Sequence, residues 1–376
     1  MSNISSIRAR LLAAVLLTLL PRLARAEDTL STAVHRWQEN AGRIRVTTDE
    51  AMLEKDFSPD TKFKAMGVLD TIAGATPTGL PPAGPGAPVP VVNMHDRRQA
   101  GTFDLLHQFA RVNLDIGYSR SVESDYASNG FSLNALFDFN HKNTMLLLGV
   151  AGTSDTEKVL FQPSRADKRG RSFIVGLTQV VDKNTSVTLD LTNARDTGFL
   201  SDPYRLIAQG ASVFLENRPD EHERWIIFAG LNHAWPEWHA AAEASYRFYR
   251  DTYGIVSHTA EISWLQKLLG DRLVLELGVR GMTQSAADFY HVDLNGTGIV
   301  PGALPNPAGP FYSSDYRLSR MATLNTGVKL QWIVAPQRLT IEAGFDRYQM
   351  HGRDHVTSPS AYVDANLLRL GLKLWF

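Results

Sequence analysis

The sequence predicts an all-β protein: an antiparallel transmembrane β-barrel of about 16 strands, with 14 as the alternative. Three observations carry that prediction. Polar and apolar residues alternate with period 2 along most of the chain. The connections alternate between short and long. The last segment places all its apolar residues on one face and ends on Phe376.

The alternation is explicit. Phe131, Leu133, Ala135, Phe137 and Phe139 fall on one face of an extended chain, with Ser132, Asn134, Asp138 and Asn140 on the other. Val187, Leu189 and Leu191 oppose Thr188, Asp190 and Thr192 in the same way. Leu273, Leu275, Leu277 and Val279 oppose Glu276, Arg280 and Gln284, and Leu339, Ile341, Ala343 and Phe345 oppose Thr340, Glu342 and Asp346. A soluble β-sandwich alternates too, so the loops decide. Short turns at 58–60, 141–143, 182–184, 236–237, 269–271 and 335–337 are interleaved with long polar loops near 73–97, 154–170, 195–222 and 285–319. Sorting loops by parity is the outer-membrane pattern of short periplasmic turns and long extracellular loops.

Strands are expected at 28–38, 42–56, 61–72, 98–108, 111–120, 127–140, 144–153, 171–181, 186–195, 223–235, 238–250, 256–268, 272–284, 320–334, 338–349 and 361–376. Residues 28–40 also fit a short helix through Leu30, Val34 and Trp37. The stretch 76–90 carries Pro77, Pro81, Pro82, Pro85, Pro88 and Pro90, which donate no ladder hydrogen bonds, so it reads as a loop. Trp235, Trp238, Trp332 and Trp375 lie beside short turns. Tyr118, Phe248, Tyr348 and Tyr362 lie towards the long loops, as two interfacial aromatic girdles would require. Leu368, Leu370, Leu372, Leu374 and Phe376 share one face, the form of the C-terminal signal that such barrels present to their assembly machinery. That machinery and outer-membrane lipids are therefore expected partners.

Residues 1–26 read as a secretory signal peptide. Arg8 and Arg10 precede the apolar run Leu11–Leu20, and Ala24-Arg25-Ala26 is a small-x-small cleavage site. The barrel domain is then 27–376, exported to the bacterial outer membrane. Without the leader's four arginines, 34 basic residues face 39 acidic ones, a net of −5, which gives no footprint for nucleic acid. Cysteine is absent, so disulfides and thiol chemistry are excluded.

Lumen-facing candidates are Asp115, Asp138, Asp190, Glu243, Arg247, Glu261, Glu276, Arg280, Lys329, Glu342 and Arg369. They form either a charge ladder that pairs across strands or a selectivity lining. Mouth candidates are Asp202, Pro203, Tyr204, Asp251, His258, Asp288 and Tyr290, at predicted loop-side strand ends. They either brace turns or form a ligand site. His351, Asp354 and His355 share one loop and lack the fixed helical face of a metal motif, so no metal is expected. Ser257 and His258 are adjacent on a strand and point to opposite faces, so they cannot act as a nucleophile and base. No G-x-S-x-G or phosphate loop is present, and no enzyme activity and no cofactor are expected.

Several ordered segments resemble the bacterial family called domain of unknown function 3570. They are Gly74-Ala75-Thr76-Pro77, Glu123-Ser124-Asp125-Tyr126, Leu200-Ser201-Asp202-Pro203-Tyr204-Arg205, Tyr246-Arg247-Phe248-Tyr249-Arg250-Asp251, Gly254-Ile255-Val256-Ser257-His258-Thr259 and Gln284-Ser285-Ala286-Ala287-Asp288-Phe289-Tyr290. The resemblance implies an outer-membrane barrel. Through the company such genes keep, it also implies a small redox lipoprotein as a partner. Two functions follow as expectations: a porin-like solute or ion channel, and an occluded barrel serving as scaffold or conduit for an electron-transfer lipoprotein.

Overall fold

The computed structural model describes residues 28–159 and 161–376; the expected signal peptide lies outside them. Alternating residues produce long strands: β1 (Thr29–Glu39), β2 (Arg45–Ser58), β3 (Thr61–Pro77), β4 (Val91–Gln108), β5 (Val112–Val122), β6 (Tyr126–Phe139), β7 (Thr144–Glu157), β8 (Ala166–Asp182) and β9 (Thr185–Gly198). After a small hairpin of β10 (Leu206–Gln209) and β11 (Ser212–Leu215) come β12 (Glu221–Trp235), β13 (Ala240–Asp251), β14 (Val256–Leu268) and β15 (Leu273–Gln284). The chain finishes with β16 (Met321–Ala335), β17 (Leu339–Gly352) and β18 (Asp364–Trp375). All but β10 and β11 form one closed barrel of 16 antiparallel strands.

Closure is made by the two ends of the chain. β1 pairs with β18 from Thr29↔Trp375 through Val34↔Leu370 to Glu39↔Ala365. A closed ladder leaves no sheet edge, which is the condition for strands to sit in lipid. Strand parity sorts the side chains. Phe131 and Leu133 on β6, Val150 on β7, Phe173 and Leu177 on β8, Leu189 and Leu191 on β9, and Leu368, Leu370 and Leu372 on β18 all point outward and are exposed. Such a belt of exposed large apolar side chains is stable only against an apolar solvent. The register shifts at Asp56/Ser58, Val180/Asp182 and Ile333/Ala335 all fall beside the short turns, where bulges end pairing and tighten the twist.

The first expected strand is a strand, because Val34 and Leu30 match the outward leucines of β18. The Pro-rich loop is shorter than 73–97. β3 and β4 run on to Pro77 and from Val91, paired to the last residue, so the loop is 78–90. The hairpin β10–β11 was hidden in a segment expected to be plain loop. Three aromatic assignments also change. Trp375 shares the parity of inward Arg369 and lies under the Lys373 ammonium at 5.2 Å, so it is not part of the outer girdle. Tyr348 points inward onto Trp37, with ring centroids 5.5 Å apart, and Tyr362 is buried in a loop. Trp235, by contrast, stacks on Trp238 at 5.9 Å and lies 5.4 Å from Trp264 at the turn end.

Candidate functional site

The inner wall has two unlike halves. From β14 to β18 the charges pair across neighbouring strands. Lys329 Nζ is 2.6 Å from Glu276, Arg369 Nη2 is 2.5 Å from Asp346, and Arg280 Nε is 4.0 Å from Glu261. Glu342 accepts a 2.7 Å hydrogen bond from Gln331. From β5 to β9 many inward residues are small or acidic, with Leu136, Leu147 and Ile174 among them. Asp115, Asp138 and Asp190 share this face with Gly117, Ser132, Gly149 and Gly176, and none of the three has an ion pair within 4 Å among the described residues. Glu243 and Arg247 also point inward, on β13, and are exposed. Arg280 and Glu261 keep 46% and 47% of their side-chain surface accessible and Lys329 keeps 39%, so side chains do not fill the barrel at this level.

At the loop end, four loops from different sectors of the barrel pack into a cap. They are 78–90, 199–220, 285–320 and 353–363. Ile207 of the β10–β11 hairpin, Leu294 and Tyr312 form one buried apolar cluster. Tyr316 and Tyr362, ring to ring at 5.9 Å, form another with Val89 and Val363. This second cluster rests on Trp37, Met282 and Tyr348, inward residues of β1, β15 and β17. The cap therefore seats in the mouth of the lumen rather than standing clear of it.

A buried ionic network joins two of these loops. Arg218 lies 2.6 Å from Glu216 and 2.9 Å from Asp315. Arg317 lies 2.5 Å from Asp315 and 3.0 Å from Asp202. Glu216 also accepts from the Asp202 N–H and the Ser313 hydroxyl, each at 2.5 Å. Arg205 donates to the Pro77 carbonyl and to Thr76 at the top of β3, which fastens the network to the wall. Gly79 sits where a Cβ would lie 2.5 Å from the Leu206 carbonyl, with φ +95°, so only glycine lets the Pro-rich loop meet β10. Burial pushes the Glu216 carboxyl up to about 7, with Asp315 adding to the rise and Arg218 opposing it. Burial also opposes ionisation of Asp315, yet Arg317, Arg205 and Arg218 together hold it below the ordinary carboxylate range. An apolar-walled cavity of about 410 Å³ remains between Pro81, Pro85, Tyr290, Asp293, Tyr316 and Thr357.

The mouth candidates separate. Asp202 belongs to the network and Pro203 is buried beside it. Tyr204 donates to Asp125 and so ties the 199–220 loop to the β5–β6 turn. Asp251 is a turn brace: it accepts from the Tyr253 and Ile255 N–H groups and from Tyr249, and contacts His222 at 2.8 Å. Asp288 is exposed and packs against Gly254, and Tyr290 bonds Thr357 at 2.5 Å. His258 lies at the loop end of β14 but faces away from the lumen. Its even parity on β14 turns it outward, where its Nδ1 meets the Tyr246 hydroxyl at 2.6 Å. Glu216, Arg218, Asp315 and Arg317 went unforeseen, because partners 97 residues apart leave no periodic signal. One group of three carboxylates, Asp96, Glu123 and Asp125, brings one oxygen from each within 4.8 Å at the loop end, a set that could hold a cation.

A closed 16-stranded sheet with an apolar belt, a charged interior and loops of sorted length defines an outer-membrane β-barrel. The chain belongs to the family described as protein of unknown function (DUF3570), whose sequence model matches residues 10–166 and 159–367. No curated protein matches the sequence. Among solved structures, a bacterial polysaccharide outer membrane secretin is similar, with a TM-score of 0.53 and 7% identity over 93% of this chain and 98% of that one. The outer membrane protein OprD of Pseudomonas aeruginosa gives 0.44 and 12% over 94% of each chain. The siderophore receptor PirA of the same organism gives 0.44 and 10% over 93% of this chain and 61% of that one. At these identities the likeness is one of fold.

Proposed function

We propose that the protein is a gated channel for small polar solutes or ions in the outer membrane. The observation that carries this reading is the pairing of accessible charge at mid-barrel, on Arg280, Glu261 and Lys329, with a separate cap seated in the mouth. A barrel of this size leaves an aqueous path unless something fills it. Charges that line such a path set which ions it favours. The unpaired Asp115, Asp138 and Asp190 tilt that balance towards cations.

The test is the reversal potential of the refolded barrel, residues 27–376, in a planar bilayer under a salt gradient. Cation-selective current that weakens in Asp115→Asn/Asp190→Asn is the expected result. A folded barrel that carries no current at any holding potential contradicts the channel.

The packed cap supports a second reading, an occluded scaffold or conduit for a small redox lipoprotein. Under that reading the barrel stays silent even with the cap loosened, and it co-purifies with its partner.

A further inference from the structure

The outer surface carries a feature that the channel does not use. On the lipid-facing side of β5 to β13, the apolar belt ends towards the loops in Tyr118 and Phe131, with ring centroids 5.0 Å apart, Phe173, Trp225 and Phe248. Immediately beyond, with the same outward parity, stand Arg120 on β5, Arg169 and Arg171 on β8, Arg195 on β9 and Arg250 on β13. Arg171 and Arg195 are direct cross-strand neighbours. Like charges placed opposite each other in an antiparallel pair destabilise it unless a counter-charge lies between them or beside them.

Arg195 has such a counter-charge in Glu221. Arg169 and Arg171 are exposed and have no ion pair within 4 Å among the described residues, nor has Arg250. The outward acids nearby are otherwise placed. Glu223, opposite Arg195, accepts from Asn193 at 2.8 Å, and Asp167 lies one outward position further from the belt than Arg169. Gly152, opposite Arg171 on β7, leaves the surface beside it flat.

We infer that the outward face of β8 and β9, centred on Arg169 and Arg171, binds the phosphate group of an outer-leaflet lipid. Its acyl chains would lie along Phe173, Leu177 and Leu191. Three features select a phosphorylated lipid. The cations sit directly above an aromatic rim, where headgroups lie. Each is arginine, whose planar fork matches phosphate oxygens two at a time. The apolar belt below supplies a lipid-chain surface that a free anion would not need. The inference rests on the outer-membrane placement of the barrel and is independent of whether the barrel conducts.

The test uses the full barrel in detergent micelles, titrated with a diphosphorylated saccharolipid of the lipid A type and followed by native mass spectrometry. Neutral phosphatidylcholine serves as the comparison, and inorganic phosphate as competitor. Heat-modifiable gel migration first shows that each variant is folded, which separates failure of the barrel reading from failure of the lipid site. Wild-type protein should retain the phosphorylated lipid over the neutral one. Arg169→Gln/Arg171→Gln should lose roughly tenfold in affinity, and Arg171→Lys should fall between them. Retention should weaken with added salt. Equal retention of both lipids by the wild type, or unchanged retention by the folded double glutamine variant, overturns the inference. Full displacement by millimolar inorganic phosphate overturns the assignment to a lipid.

Discussion

The barrel wall and the cap are built on different physical terms. In the wall, each strand pairs through its backbone only with its two neighbours, and the face of each side chain follows from parity. Its ion pairs, such as Lys329 with Glu276, remain partly wet. In the cap, Glu216 and Asp315 are buried outright, and their partners come from loops about a hundred residues apart. The wall therefore tolerates single losses, whereas the cap concentrates its cohesion in a few contacts. That contrast suits a rigid conduit with one movable part.

The largest effect of a single substitution should come from Arg218→Ala. It strands Glu216 as a buried carboxylate with no cation beside it and removes one of the three arginines around Asp315, which keeps Arg317, a loss of about 3–5 kcal/mol in cap closure. Hydrogen exchange should show faster labelling of 202–217 and 313–318, with the wall strands unchanged. Ile207→Ala removes a fully buried side chain between the hairpin and Leu294 and should cost the cap about 2–4 kcal/mol, read by the same labelling. If either variant loosens the whole barrel instead, wall and cap are not separate units.

The pH response should be smaller and has a definite sign. Glu216 titrates higher in the closed cap than in an open chain, so closure is favoured below about 7 and weakens as pH rises through that value. Asp315 is shifted the other way, and its contribution is lost only as pH falls below the ordinary carboxylate range. After correction for intrinsic exchange, cap amides should be better protected at pH 5.5 than at pH 8.5. Glu216→Gln should remove that difference. Smallest of all, Glu276→Gln in the wall should change stability by no more than about 1 kcal/mol, because Lys329 is 39% exposed. Urea denaturation of the folded barrel would measure it.

The same contrast explains what was legible in the sequence. The closed barrel, its strand number, the turn end and the inward parity of residues such as Glu276 and Arg280 all follow from period-2 patterning, which is local. The cap was not legible. Asp202 drew attention through its segment, but nothing in the spacing links it to Arg317, or Glu216 to Ser313. His258 shows the same limit. Its segment pointed to the loop end, while its parity, a property of the strand alone, turned it to the outer surface. The extension of β3 and β4 beyond the expected boundaries shows the converse: weakly patterned residues pair when their neighbours are already in register.

The most direct test of a conducting lumen under a removable cap is to replace residues 202–217 with a short Gly-Ser link and compare planar-bilayer conductance with the intact barrel. The intact barrel should dwell mostly in a low-conductance state. The replaced form should stay open, with the same preference for cations. If the two forms are equally silent while both remain folded, the lumen is not a path, and the barrel is a scaffold.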